Sequence, residues 1–326
     1  MIDRRRCIAG SAAALLIAPG LRAQPAGKVA RIGILAAVSE PVSWYVHRVE
    51  ALRAALRDLG WVEGRNLAVE TRYAGPNPLR QRQLAAELEA VPVALIAVEG
   101  TTAIRAARDG APGLPVVMVN AGDPVGAGFV AGLARPGGNL TGTSAAGEEV
   151  LAKQVELLWA AVPQLERIGV LMNRSNPANT FFFNAMSARA RSLGLALERI
   201  EVGAPGEVDG AIARARGAAM VVVSDPMFSQ NHARLIELTL RHCVPSIFGA
   251  RIWAVDGGLM SYLSSDLWHW RKAAGFIDRI LRGANPAVLP VEQPTEFLFV
   301  INLKTARALG LTIPQSLLVR ADEVIR

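Results

Sequence analysis

Histidine, aspartate, cysteine and clustered glycine are the residue types here with chemistry to offer, and their spacing excludes most of it. The histidines His47, His232, His242 and His269 show no metal-ligand spacing. His232 and His242 fall on one predicted helix, ten residues apart, on partly exposed faces. Gly126, Gly128 and Ala131 fit G-x-G-x-x-A, a form of the dinucleotide fingerprint. In that motif the first glycine follows its strand directly, so that the pyrophosphate meets a helix N-terminus. Here Asn120 to Pro124 intervene, and no acidic residue appears about 20 residues further on, where the motif needs one. The glycines read as turns. Asp123 has no neighbouring base, and neither a G-x-S-x-G elbow nor a Walker loop occurs. Cys243, just before a predicted strand, reads as a buried apolar thiol. Trp268 and Trp270 could stack a ligand, but at the start of a helix they read as packing residues. No catalytic residue, metal or cofactor is expected.

Without a reaction, the chain must be read for what it could hold. Its 326 residues suggest about two domains, and 51% apolar against 19% charged content describes a folded chain. Arg4, Arg5 and Arg6 precede an apolar run from Cys7 to Ala18, and Leu21-Arg22-Ala23 offers a small-residue cleavage site. That pattern is a secretory signal over residues 1–23, with paired arginines like those of a twin-arginine signal. Cys7 and Ile8 stand where such a signal usually has Phe-Leu, so the general secretory route stays open. Removal of 1–23 takes four arginines and one aspartate and lowers the net charge from +7 to +4. The remaining basic residues are scattered, so no nucleic-acid partner is expected. A single remaining cysteine excludes an internal disulfide. No other stretch is long enough to span a bilayer. The mature protein is expected to be a monomer in the periplasm that does not span the membrane.

Helical periodicity alternates with short β-rich runs along the rest of the chain. The strands ARIGILAAV (30–38), LAVETRYA (67–74), VALIAVEG (93–100) and LPVVMVN (114–120) alternate with helices, including one over 78–90. A second series opens with RIGVLMN (167–173) and a helix at 178–193. It continues through LALERIEV (195–202), AAMVVVSD (218–225), a helix at 230–243, PSIFGA (245–250) and GLMSYL (258–263). Each series begins with R-I-G-[IV]-L, at Arg31 and at Arg167. The fold class is therefore α/β: two doubly wound parallel-sheet lobes, each with helices on both faces.

Ligands of such sheets bind outside the carboxyl ends of the strands. The loops there nominate Ser39, Gly100, Thr101, Thr102, Asn120 and Asp123 in the first series, with Trp44 just beyond the first strand. The second series nominates Asn173, Asn176, Asn179, Thr180, Asp225, Phe228 and Arg251. Thr101 and Thr102 open a helix, where free N–H groups and hydroxyls suit a carboxylate; Asn173, Asn179 and Thr180 could serve the same end from the other lobe. Asp123 suits an ammonium group, and Phe228 or Trp44 an apolar side chain. Arg174 would suit a second anionic group.

Three segments carry a family resemblance: GWVEGRNLAVETRYA, VVMVNAGDPVGAGFVAGLARPGGNLTGTS, and the tail from Phe299 to Leu318. In this order, from about residue 30 to the C-terminus, they resemble the ABC-transporter substrate-binding family of the tryptophan/tyrosine type. The resemblance implies a type I periplasmic binding fold with three crossovers between the lobes. It places lobe one at 28–143 plus 264–289 and lobe two at 144–263 plus 290–326. Crossovers fall near 143–146, 263–265 and 286–291. It also implies a small polar or zwitterionic ligand, an amino acid first, and a membrane permease as partner. A ligand sensor for a membrane receptor and an exported α/β enzyme stay open as alternatives. The absence of an acid–base or nucleophile pair weighs against the enzyme, and of a helix-turn-helix against a repressor.

Overall fold

Two separate sheets emerge from the alternation of strand and helix in the computed structural model, which describes residues 29–145 and 148–326. The proposed export signal at 1–23 lies outside the described residues. The first sheet is built from β1 (Ala30–Ala36), β2 (Leu67–Tyr73), β3 (Ile96–Glu99), β4 (Val116–Ala121) and β5 (Leu140–Ser144), in the order β2-β1-β3-β4-β5. All its pairings are parallel. Helices α1 (Ser43–Asp58), α2 (Pro78–Ala90) and α3 (Thr101–Gly110) connect the strands. The start of α2 shows how local sequence sets an element: Pro78 occupies the first turn, and Asn77 Oδ1 accepts from the Leu79 and Arg80 amides.

The second sheet follows α4 (Glu148–Ala161) and comprises β6 (Arg167–Asn173), β7 (Ala196–Val202), β8 (Ala219–Val222), β9 (Ser246–Phe248) and β10 (Met260–Leu263). Helices α5 (Asn179–Ser192), α6 (Val208–Arg214), α7 (Pro226–Gln230), α8 (His232–Arg241) and α9 (Arg251–Val255) lie between these strands. After α10 (Asp266–Leu281), the tail adds β11 (Leu298–Asn302), α11 (Leu303–Ala308), α12 (Gln315–Leu318) and β12 (Glu323–Ile325). The order is β12-β11-β10-β9-β8-β6-β7, with β11 antiparallel to β10. This sheet is therefore mixed at its tail edge, where purely parallel pairing was expected.

The chain passes between the sheets three times. After β5 it enters α4; after β10 it returns as α10, which packs against α1, β4 and β5; it then goes back as β11. The apolar face of α10 explains the return, because Trp270, Ala273, Phe276 and Ile277 are buried with Ile32, Leu52 and Val117 of the first core. Burial of one such large side chain contributes about 1.5–3 kcal/mol. The first and third passages lie side by side: Glu292 pairs with Thr143 as an isolated bridge, and the Ser144 amide donates to the Glu292 carbonyl at 3.0 Å.

One strand departs from the sequence expectation. LTGTS, which is not among the strands expected from sequence, forms β5 against β4. Gly142 sits there at φ +135, and a Cβ would lie 2.1 Å from the Met118 carbonyl oxygen, so only glycine lets the two strands approach. The β4–β5 register shifts between Met118 and Ala121, and Asn120 occupies this irregularity with φ +56. Cys243 also departs from expectation. It is exposed, because it turns the chain after α8 in the left-handed region at φ +52.

Candidate functional site

The carboxyl ends of both sheets face one cavity between the lobes. Its volume is about 70 Å³, several times the ~10–15 Å³ that one water needs by that measure. On the first side, the start of α1 turns Trp44, Tyr45 and Arg48 toward the cavity. Arg48 Nη1 donates to both oxygens of Glu99, at 3.1 and 3.2 Å, with its guanidinium 4.5 Å from the centre of the Trp44 ring. Only 11% and 12% of these two side chains is exposed, so the pair is shielded from bulk water. Tyr45 meets Trp44 and Trp270 edge-on, at 5.8 and 5.7 Å between ring centres. Burial, reinforced by the Glu99 charge, pushes the Tyr45 phenol well above its ordinary pKa, which keeps it a neutral donor.

The N-terminus of α3 enters the cavity at Gly100 and Thr101. Thr101 Oγ1 accepts from the Gly122 amide at 2.7 Å and locks the loop after β4 against the helix. The Asn120 amide donates to Thr143 Oγ1 at 3.0 Å, and its side chain lines the cavity.

The second side is built on a buried carboxylate. Asp225 accepts from the Met227 amide at 2.9 Å, from Asn173 Nδ2 at 3.0 Å and from Asn176 Nδ2 at 2.9 Å. Burial pushes its pKa above the ordinary value, while these three donors pull it back. Asn176 Oδ1 in turn accepts from the Ala178 amide, and Asn179 Nδ2 donates to the Asn173 carbonyl. The network therefore spends its polar groups on shaping the loops after β6 and β8. Apolar walls come from Phe182, from Leu151 and from Trp253, which stacks on Phe248 at 4.8 Å.

Several buried polar atoms have no hydrogen-bond partner among the described residues, including Tyr45 Oη, Asn120 Oδ1 and Gln154 Oε1. All three residues line the cavity. Leaving such a group unpaired costs about 1–3 kcal/mol, so a ligand that pairs them recovers that cost. The arrangement can hold and orient a small molecule.

Of the residues nominated from sequence, Trp44, Gly100, Thr101, Asn120, Asn176 and Asp225 line the cavity. Asn173 and Asn179 lie one layer behind, and Thr102 is buried on α3. The remaining five sit elsewhere. Ser39 and Thr180 are exposed outside the cavity lining. Asp123 caps its own turn, accepting from the Gly126 amide at 2.8 Å, and borders a second cavity, of about 170 Å³ and adjoining the first at Gly122 and Ala145, with Glu148 and Phe181. Phe228 is fully buried in the second core. Arg251 makes a bidentate pair with Glu323 at 2.6 and 2.7 Å, on the surface. Arg174 is likewise paired on the surface, with Glu207 at 3.1 Å. Sequence reading missed Tyr45, Arg48, Gln154, Phe182 and Trp253. The only available signal was Trp44-Tyr45-x-x-Arg48, aromatic and basic residues one helical turn apart just beyond β1.

Two α/β lobes with a ligand-sized cavity between their strand ends define a solute receptor of the type I periplasmic binding fold. Over residues 31–325 the chain matches the ABC transporter substrate binding protein family, and it belongs to that family. It is the substrate-binding component of an ABC transporter. An ABC domain from Streptococcus pneumoniae crystallised with L-Trp is 27% identical, with a TM-score of 0.84 over 91% of this chain and 99% of that one. The ligand-free, open structure of a Clostridium difficile substrate-binding protein with adhesive properties is 22% identical. It has a TM-score of 0.65, over 91% of this chain and 99% of that one. A tyrosine-binding protein of Clostridioides difficile is 24% identical over 262 residues, 79% of this chain and 74% of that protein. Among the described residues no helix is long and apolar enough to cross a membrane, and no group of His, Cys, Asp and Glu is placed to hold a metal ion.

Proposed function

We propose that the receptor captures an aromatic amino acid between its lobes and delivers it to a membrane permease. The observation that carries this reading is the pairing, in one cavity, of aromatic walls with a helix N-terminus. Trp44, Phe182 and Trp253 offer ring faces and edges to a side chain, while the amides at Gly100 and Thr101 suit a carboxylate. The L-Trp complex and the tyrosine-binding relative support an aromatic side chain. Asp123 is not kept as the ammonium anchor, because it caps a turn outside this cavity. A thermal-shift series with amino acids, organic acids, sugars and nucleosides tests the reading. Tyrosine or tryptophan should stabilise the protein by about 2.7 kcal/mol at one hundred times its dissociation constant. Stabilisation by sugars or dicarboxylates alone would overturn the assignment.

The exported state belongs to the same proposal. Residues 1–23 direct export and are removed after Ala23, and the mature protein works in the periplasm as a monomer, with lobes at 28–143 plus 264–289 and 144–263 plus 290–326. The segment R-R-C-I-A at Arg5 to Ala9 supports a twin-arginine route. N-terminal sequencing of the exported protein should begin at Gln24, and an intact Met1 would remove the cleavage.

A further inference from the structure

We propose that Gln154 is a specificity-determining acceptor, which requires the ligand to present an N–H donor to the second lobe. This inference rests on the amino-acid reading above and names what that ligand must carry. Gln154 lies on α4, is 3% exposed, and lines the cavity. Its Nε2 donates to the Tyr262 backbone carbonyl at 2.8 Å. A carbonyl can only accept, so this bond settles which end of the amide faces Tyr262. Oε1 is left as a buried acceptor with no partner among the described residues. The amide cannot turn to offer a donor instead without losing the Tyr262 bond. The cavity therefore reads hydrogen-bond character at this point.

The carboxylates nearby already have donors: Asp225 accepts three N–H groups, and Glu99 is held by Arg48. Asn120 Oδ1, from the first lobe, is a second acceptor of the same kind, so a donor-bearing ligand satisfies both sides of the cavity as it is enclosed. A site that pairs a ligand N–H rejects the analogue lacking it far more strongly than a merely apolar pocket does. An amino acid carries that donor either on its α-ammonium or, in an indole, on its side chain. Both are N–H donors to one amide oxygen.

The experiment compares L-tryptophan with 1-methyl-L-tryptophan and with 3-indolepropionate, by calorimetry on the wild type and on Gln154→Met. One of the two modifications should weaken wild-type binding at least tenfold, and the same modification should cost less than about threefold in Gln154→Met. The modification that loses its penalty identifies the donor. Equal penalties in both proteins overturn this proposal alone. Failure of the wild type to bind any of the three, or L-tyrosine run beside them, overturns the aromatic amino-acid reading and this proposal with it. Gln154→Met also loses the Tyr262 bond, so a second measurement uses the wild type only. The Gln154 side-chain amide resonances should shift on adding L-tryptophan and stay unmoved with the analogue that lacks the donor; identical shifts with all three ligands overturn the assignment.

Discussion

Gln230 Nε2 donates to the backbone carbonyl of Ala37 at 2.7 Å, a hydrogen bond that runs from α7 of the second lobe to the end of β1 in the first. Its acceptor residue, Ala37, lines the cavity together with Trp44 and Arg48. A bond of this type contributes about 0.5–1.5 kcal/mol net. Gln230→Ala should therefore weaken ligand binding by roughly two- to tenfold, since closure loses that bond while each core is untouched. Calorimetry gives the affinity and small-angle scattering the lobe separation. An unchanged affinity would show that the bond plays no part in closure.

A second inter-lobe contact is steric. A Cβ on Gly122 would lie 2.6 Å from Thr101 Oγ1, 2.7 Å from Ala178 Cβ and 3.0 Å from Phe182 Cζ. Ala178 and Phe182 belong to the second lobe, and neither can move without disturbing the loop held by Asn176. Gly122→Ala should hold the lobes apart, lowering ligand affinity by more than about tenfold, and should also lower ligand-free stability through the Thr101 contact inside the first lobe. A variant that binds as tightly as the wild type would mean the closed contact can relax.

How far the site could be read from sequence follows from where its residues sit. Gly100, Thr101, Asn120, Asn176 and Asp225 occupy strand-end loops, and the rule that ligands gather there is enough to nominate them. Gln154 and Arg48 lie inside helices, where a polar side chain ordinarily faces water, and only the packing of α4 on the second sheet and of α1 against α10 places them at the cavity. Asp123 lies outside the lining of this cavity for a local reason: its Oδ1 accepts the Gly126 amide and caps the turn. The same limit hid β5, because Gly142 resembles a turn residue until β4 is seen to need the space its missing Cβ leaves.

The buried carboxylate predicts a pH dependence. Burial raises the Asp225 pKa above the ordinary carboxylate value, so between that value and the raised one the folded state holds more protons than the unfolded chain. This group's contribution to stability therefore falls as pH rises through that window and is relieved as pH falls back through it. Asp225→Asn should flatten that part of the pH profile. It should also cost about 1–3 kcal/mol, because one of its amide hydrogens would face a donor where Asn176 Nδ2 now meets an oxygen. Urea titrations across the acidic range measure both effects; an unchanged slope would assign the pH dependence to other groups.

His269, 1% exposed on α10, places Nδ1 3.0 Å from Thr143 Oγ1 and Nε2 3.0 Å from Ser264 Oγ. Thr143 lies at the end of β5 and Ser264 just after β10, so one imidazole ties the first passage between the lobes to the second. The third passage joins through the Glu292 bridge to Thr143. Thr143 Oγ1 also accepts the amide of Asn120, which carries the connection to the cavity wall. Residues joined this way should not act independently. His269→Phe and Thr143→Val should each lower stability, and the double variant should depart from additivity by about 0.5–3 kcal/mol. The same cycle run on ligand affinity separates a hinge from a local packing element. If the passages move together on closure, the single variants should change the dissociation constant as well as the melting temperature. Simple additivity in stability, with no change in affinity, would reduce His269 to a core residue that happens to lie between two linkers.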